Sequence, residues 1–496
     1  MGGHSYSIDE ELYLSATKSF VHLSSSVDLA DSSMVRNIPL LSEQDDRGVH
    51  GAPFGVLVLY APFAIAARLL SQFFSGSTSH EVYRLIFFSA SSFYTALVAT
   101  FLFSMSRLSG LNKRRAVSLS LIFGLCTYQW QYSANAFPQT LSAFTILGSF
   151  FYWSRYDENP SSTKKLSVSG FIFGLSVAVR LTNVLFLPLF LLAIFFRSNR
   201  ELKIRIKSLF IFCLSSSPMI FISGWFNWLR FGNPFATGYG KINFDTPIYE
   251  GIFGLFFSTG KGLIFYAPIS VVALFGLRKA LISFPVRNTL AISIVLVQVA
   301  FYGRFEFWSG ENAYGPRHLI PVLPLVCILV IPLARIGKQW LVGMWVAAIT
   351  GFIFSGLMGK LMYFNAVYWN QQPGLLQDMD AASLTAKQQY LAWNFQPRSS
   401  PLILQLRAIP DLISNTVSRL EGGLGKLDQI PTSYDERLHW YARTINLDFW
   451  WAWWPAKSSN QFVYLFLFVP ISLVVFGGFR LMKELRVSES ANENEI

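Results

Sequence analysis

Apolar runs long enough to cross a bilayer recur along this 496-residue chain, and the short loops between them alternate between rich and poor in Lys and Arg. This alternation constrains the fold more than any other feature. In hydrocarbon every backbone polar group must be satisfied by the protein itself, and a helix does this within one segment. The chain is 52% hydrophobic and only 14% charged, whereas soluble globular domains carry about 25% charge. The pattern predicts an all-α polytopic membrane protein.

Expected spans fall near 82–106, 116–131, 136–153, 166–180, 182–197, 208–226, 263–278, 287–303, 317–333, 340–362 and 461–480, about eleven transmembrane helices. Several are shorter than the roughly 20 residues a perpendicular helix needs, and 166–197 also reads as one long broken helix. The stretch 53–74 is apolar but contains Pro53, Pro62 and Arg68, and is expected to lie along the interface. The organisation is then an external acidic segment with interfacial helices (1–81), a transmembrane bundle (82–362), a long non-cytoplasmic loop (363–460) before the last helix (461–480), and a cytoplasmic tail (481–496).

Orientation follows from the loops. Basic residues crowd into 107–115, 154–165, 198–207, 278–287, 334–339 and the tail, whereas 132–135, 227–262 and 304–316 hold only Arg230, Lys241, Lys261 and Arg304. The positive-inside rule places the first set in the cytoplasm and the N-terminus outside. The same distribution accounts for the net charge of +12 without nucleic acid. Cys126, Cys213 and Cys327 lie in apolar runs and read as packing residues.

Several polar residues fall on the outer side. Ser7-Ile8-Asp9-Glu10-Glu11-Leu12-Tyr13 leads into an amphipathic helix. Its acids suit a helix N-terminus, and at the mouth of a bundle they are also candidates for accepting a proton. Val49-His50-Gly51-Ala52-Pro53 is either a turn into the membrane or a place where His50 meets substrate. Arg180, Lys261, Arg304 and Arg317 sit at outer membrane edges, where charge is costly and tends to face partners. Any one of them could snorkel to headgroups. As a set they form a candidate site for a lipid phosphate, with Glu311 and His318 beside them as candidate substrate contacts.

Other motifs carry less. Gly260-Lys261-Gly262 lacks the spacing of a phosphate-binding loop, Asp378-Met379-Asp380 has the D-x-D form but faces away from nucleotide pools, and Phe449-Trp450-Trp451-Ala452-Trp453-Trp454-Pro455 reads as an interfacial anchor or a stacking surface.

The arrangement resembles the GT-C integral membrane glycosyltransferases, specifically the family-39 superfamily of protein O-mannosyltransferases and lipid A aminoarabinose transferases. Asp9-Glu10 matches the acidic pair that opens that superfamily's first external loop. His50-Gly51-Ala52-Pro53-Phe54-Gly55 is similar in position to a His-Pro-Pro-Leu-Gly-Lys stretch, without its first Pro and its Lys. The segments from Gly260 to Pro268 and from Tyr314 to Pro321 are similar to stretches common in bacterial relatives. The family carries a membrane helix before the acidic pair, so the resemblance leads us to expect a start upstream of Met1. It implies an inverting transfer of sugar from a polyprenyl-phosphate donor to a hydroxyl acceptor, at the outer face of a bacterial plasma membrane. Asp9 would be the base and Glu10 its support. Arg317, then Lys261, Arg180 and Arg304, would hold the donor phosphate. Some relatives use a divalent metal, but no ligand cluster here commits the chain to one. Competing readings are a transporter or flippase for lipid-linked glycans, which needs the cations but no base, and a ligase or polymerase, which the long loop at 363–460 keeps open.

Overall fold

A computed structural model describes residues 8–22, 51–196, 201–236, 243–310, 313–334, 338–357, 394–397, 400, 402–403, 406 and 471–484. Every regular element among them is helical. In chain order these are α1 (Ile8–Val21), α2 (Phe54–Ser71), α3 (Gly76–Leu108), α4 (Lys113–Leu125), α5 (Gln129–Tyr132), α6 (Pro138–Glu158), α7 (Thr163–Val179), α8 (Leu187–Phe195), α9 (Leu202–Phe231), α10 (Ile248–Phe257), α11 (Leu263–Tyr266), α12 (Ile269–Ser283), α13 (Pro285–Arg304), α14 (Leu323–Ala334) and α15 (Lys338–Gly351). Short 3-10 turns, Leu181–Phe186 and Arg317–Val322, lead into α8 and α14.

Among the described residues five helical stretches are long and apolar enough to cross a bilayer: Phe54–Ser71, Thr78–Leu108, Leu202–Phe231, Pro285–Arg304 and Arg317–Ala334. Four of them coincide with expected spans. The first is the stretch 53–74, expected at the interface. The remaining expected spans are helical over most of their described residues, yet shorter, interrupted or more polar. α6 buries Gln139, Thr140, Ser142, Thr145 and Ser149 within the bundle, which lowers its hydropathy. The expected span 116–131 is interrupted after Leu125. There the Thr127 hydroxyl donates to the Phe123 carbonyl at 2.6 Å, and the Tyr128 N–H goes to the Tyr266 carbonyl at 3.0 Å instead of continuing the ladder. The stretch 166–197 is broken at Arg180, whose extended backbone (φ −153°, ψ 115°) ends α7.

α3, with 33 residues, is the longest strut. Its first half pairs antiparallel with α2, through Tyr60 and Ser91 (3.2 Å), the Tyr94 hydroxyl and the Leu59 carbonyl (2.7 Å), and the Ser79 hydroxyl and the Ser71 carbonyl (2.9 Å). Its second half packs on α6 through rings, Phe101 lying 5.9 Å from Phe144 and 5.3 Å from Phe151. The α2–α3 hairpin therefore extends past the N-terminus of α6, and α1 lies against it: Glu11 pairs with Arg84 at 2.5 Å.

α7 packs along both α6 and α9. The close approach to α9 is set by Gly170 and Gly174. A Cβ on Gly170 would come within 2.6 Å of the Phe212 carbonyl oxygen, and one on Gly174 would collide with the Ser216 carbonyl. Small residues four apart let membrane helices touch backbone to backbone. Gly174→Leu should separate the pair and destabilise the fold by about 3 kcal/mol or more, since the obstacle is main chain that cannot repack. The check is the thermal unfolding midpoint of detergent-purified protein; an unchanged midpoint would refute the packing account.

Two poles emerge. At one, Lys113 pairs with Glu484 at 2.7 Å and Arg115 donates to the Ala334 carbonyl at 2.7 Å, so the start of α4 and the ends of α14 and of the helix at 471–484 meet where the basic loops gather. At the other, the α5 segment meets α1, α11 and the turn before α14.

Candidate active site at the second pole

The second pole is organised around the segment 127–140, between α4 and α6. Glu10, in the first turns of α1, is completely buried, and its Oε1 accepts the Ala136 N–H at 2.8 Å. The next residue, Phe137, lies under Arg317, whose Cζ is 5.7 Å from the ring centroid. Tyr132, at the end of α5, lies within electrostatic reach of both Arg317 and Glu10, and its hydroxyl donates to the Tyr314 carbonyl at 2.9 Å. One short segment thus brings a carboxylate from the N-terminal helix beside a guanidinium from the chain's second half.

Arg317 is placed by its own loop. Gly310 has φ of +73°, a left-handed conformation that costs glycine little. A Cβ there would lie 2.6 Å from Arg317 Cγ, so the side chain runs across the bare glycine. His318 follows and is buried. Its ring stacks on Tyr302 with centroids 4.4 Å apart and planes 5° apart, and the Arg180 Cζ lies 5.1 Å from the same Tyr302 ring centroid. The His318 Nε2–H donates to the Phe307 carbonyl at 3.1 Å, leaving Nδ1 as a buried acceptor with no protein partner. The charges of Arg317, Arg180 and Lys261 all reach this imidazole.

Lys261 is fully buried, and its Nζ donates to the Ala313 carbonyl. The turn carrying it is covered by residues from the long loop: the Gly260 N–H donates to the Asn394 carbonyl at 2.9 Å and the Ser400 hydroxyl to the Thr259 carbonyl at 2.6 Å. Phe395 adds an apolar contact, its ring 5.6 Å from that of the buried Trp308.

The structure therefore brings together Glu10, Arg180, Lys261, Arg317 and His318. It leaves Arg304 apart: that side chain is exposed and donates to the Phe244 carbonyl at 2.8 Å. His50 and Glu311 lie outside the described residues, as does the side chain of Asp9, whose backbone belongs to the first turn of α1. So do Asp378, Asp380 and the aromatic run at 449–455. Among the described residues no three His, Cys, Asp or Glu side chains converge to hold a metal ion.

The amides at this pole were not singled out from the sequence. Gln131 is buried with both ends of its carboxamide unpartnered, and Asn135, Gln139 and Asn183 each bury an amide oxygen without a protein donor. Arg180 likewise buries Nη1 without an acceptor. A buried polar group left unpaired costs about 1–3 kcal/mol, so such a concentration calls for a ligand or ordered water. The available signal was four carboxamides between positions 129 and 139, set between two apolar runs.

Comparison with known proteins adds the following. No curated protein sequence matches the chain. Among solved structures, ArnT from Cupriavidus metallidurans bound to undecaprenyl phosphate is similar at 13% identity and a TM-score of 0.44, covering 89% of this chain and 81% of that one. The archaeal oligosaccharyltransferase AglB from Archaeoglobus fulgidus, in complex with an inhibitory peptide and a dolichol-phosphate, is similar at 14% identity and a TM-score of 0.32; it covers 96% of this chain, which spans only 47% of AglB. Residues 49–203, less than half of the chain but including α2 to α8, Arg180 and the amide segment, match the family model of the protein O-mannosyl-transferase TMEM260 N-terminal domain.

Proposed function

We propose that the protein is an inverting glycosyltransferase that moves a sugar from a polyprenyl-phosphate donor to a hydroxyl acceptor at the non-cytoplasmic face of a membrane. The observation that carries this reading is the meeting of a buried carboxylate, Glu10, and Arg317 at one segment, with Arg180 and Lys261 joining Arg317 around the neighbouring His318. The family match over residues 49–203 points to the same class of chemistry. In the proposed topology the eleven expected spans cross the bilayer, α3 among them, α1 and α2 lie at the outer interface, and the Lys- and Arg-rich pole is cytoplasmic.

The reaction needs one base. Asp9 takes the acceptor hydroxyl proton as that oxygen attacks the anomeric carbon from the face opposite the phosphate. The bond from the anomeric carbon to the phosphate oxygen breaks, and polyprenyl phosphate leaves as an anion. Cations placed to meet the developing charge remove the need to protonate the leaving group. Glu10 anchors the first turn of α1 to the Ala136 N–H. Arg317 and Arg180 hold the phosphate, and the proposed site assigns no step to a metal.

The test is release of free polyprenyl phosphate by the reconstituted protein from a panel of labelled polyprenyl-phosphate sugars, mannose included. Turnover of at least one donor that is lost on Asp9→Asn supports the reading. Donor binding without turnover in the parent, under every acceptor offered, would move the protein to the transporter class.

The unpartnered amides are placed to read sugar hydroxyls. Gln131→Ala and Gln139→Ala should each raise KM for the preferred donor about 10-fold and narrow its preference over an epimeric donor, with kcat changed far less, because a site built to hydrogen-bond a hydroxyl discriminates through those bonds. An unchanged ratio of kcat/KM between the two donors would remove the amides from sugar recognition.

A further inference from the structure

The opposite, basic pole carries a cavity that the transfer reaction does not use. A groove of about 640 Å³ opens between the ends of α3, α6 and α7. Arg107 from the last turn of α3, Arg155 from the last turn of α6 and Lys165 from the first turn of α7 line it together with Phe103, Phe151 and Tyr152. No Asp or Glu is part of that lining. Glu158, one turn beyond Arg155, is within electrostatic reach of Arg155 and Lys165 but lies outside the groove. Arg107 is held in place by donating to the Leu111 carbonyl at 2.7 Å. The aromatic wall continues toward the middle of the bundle, Phe151 lying 5.3 Å from both Tyr152 and Phe101.

The positive-inside rule explains cations at this pole, but it does not require that three from separate helices share one concave site. Nor does it explain an aromatic wall running from them toward the bilayer interior. That combination matches a lipid: the cations suit a phosphodiester, through the Arg forks above all, and the half-buried rings suit the upper acyl chains. We infer that this groove binds the headgroup of an anionic phospholipid of the cytoplasmic leaflet, of the phosphatidylglycerol type. The inference rests on the proposed topology and is independent of the transferase reading, since a transporter of the same topology would carry the same groove.

The experiment counts lipids on the intact detergent-purified chain by native mass spectrometry during titration with short-chain phosphatidylglycerol or phosphatidylcholine. The parent is compared with Arg155→Gln/Lys165→Gln and with Lys203→Gln/Lys207→Gln, which removes two exposed cations at the base of α9, outside the groove. The expected result is a saturable phosphatidylglycerol site whose affinity falls about 10-fold or more in the first variant and less than two-fold in the second, each charge near the surface contributing to anionic-lipid binding. Phosphatidylcholine should occupy it in neither. Equal losses in the two variants would reduce the effect to general surface charge and overturn the proposal. So would equal retention of both lipids by the parent, or displacement of phosphatidylglycerol by millimolar inorganic phosphate, which would mark a site for the free ion. If the double variant fails to fold, the single Arg155→Gln should still lower affinity about three-fold or more, and no change there would count against the groove.

Discussion

Asp9→Asn is expected to lower turnover by about 10²–10⁴-fold, the usual contribution of a positioned general base, while donor affinity stays within a few-fold of the parent. The asparagine keeps the size and hydrogen-bonding shape of the side chain but cannot take a proton at neutral pH. Glu10→Gln tests the neighbouring carboxylate separately. Glu10 is buried and accepts the Ala136 N–H, and a glutamine oxygen can accept the same bond. If Glu10 only anchors α1, Glu10→Gln should cost less than about 10-fold in kcat, and Glu10→Ala should cost more because it leaves a buried donor unpaired. The reverse pattern, with Asp9→Asn active and Glu10→Gln inactive, would transfer the base to Glu10. Measuring kcat and donor affinity on all three variants resolves the two assignments, and full activity in every one would end the carboxylate mechanism.

How much of this was legible in the chain depends on the kind of signal. The apolar runs marked where helices form, because burial in lipid forces periodic backbone pairing whatever the detailed sequence. Lys113 and Arg115 revealed their pole because charge near a membrane end has few places to go, and in the structure they meet Glu484 and the Ala334 carbonyl there. Hydropathy was least informative at α6. That helix reads as an ordinary span, yet it supplies Gln139 and Ser142 to a buried polar interior that only the surrounding helices make tolerable. The break at Cys126–Tyr128 was also hidden, since the Tyr128 N–H is satisfied by Tyr266, a partner distant in sequence. Among the site residues, Arg317 and Lys261 stood out as charges in costly places. Arg304 carried the same signal, but a helix end can aim a long side chain at solvent as easily as at a cleft, and sequence does not distinguish the two. The amides gave almost no signal, because a carboxamide costs little at the surface and a great deal when buried, and only the fold decides which applies.

Arg317→Ala should reduce kcat/KM by about 10²–10³-fold, the scale on which removal of one preorganised charge-stabilising donor is felt in the transition state. The same variant should weaken binding of free polyprenyl phosphate, the product, by a similar order, because the group held is common to donor, transition state and leaving lipid. Product binding can be measured without turnover, so it separates phosphate recognition from any effect on the base. Arg317→Lys should recover less than about 10-fold of the loss, since an ammonium supplies charge but not the planar pair of donors that grips two phosphate oxygens. Gly310→Ala should resemble a weaker Arg317 variant, because its methyl would occupy the space along which the Arg317 side chain lies and would hold an alanine at positive φ. Lys261→Ala should behave differently. Its ammonium already serves the Ala313 carbonyl inside the protein, so its loss should lower the unfolding midpoint at least as visibly as it lowers phosphate affinity. If Arg317→Ala binds polyprenyl phosphate as tightly as the parent, the phosphate is held elsewhere among these cations, and Arg180, whose Nη1 is buried without an acceptor, becomes the residue to change next.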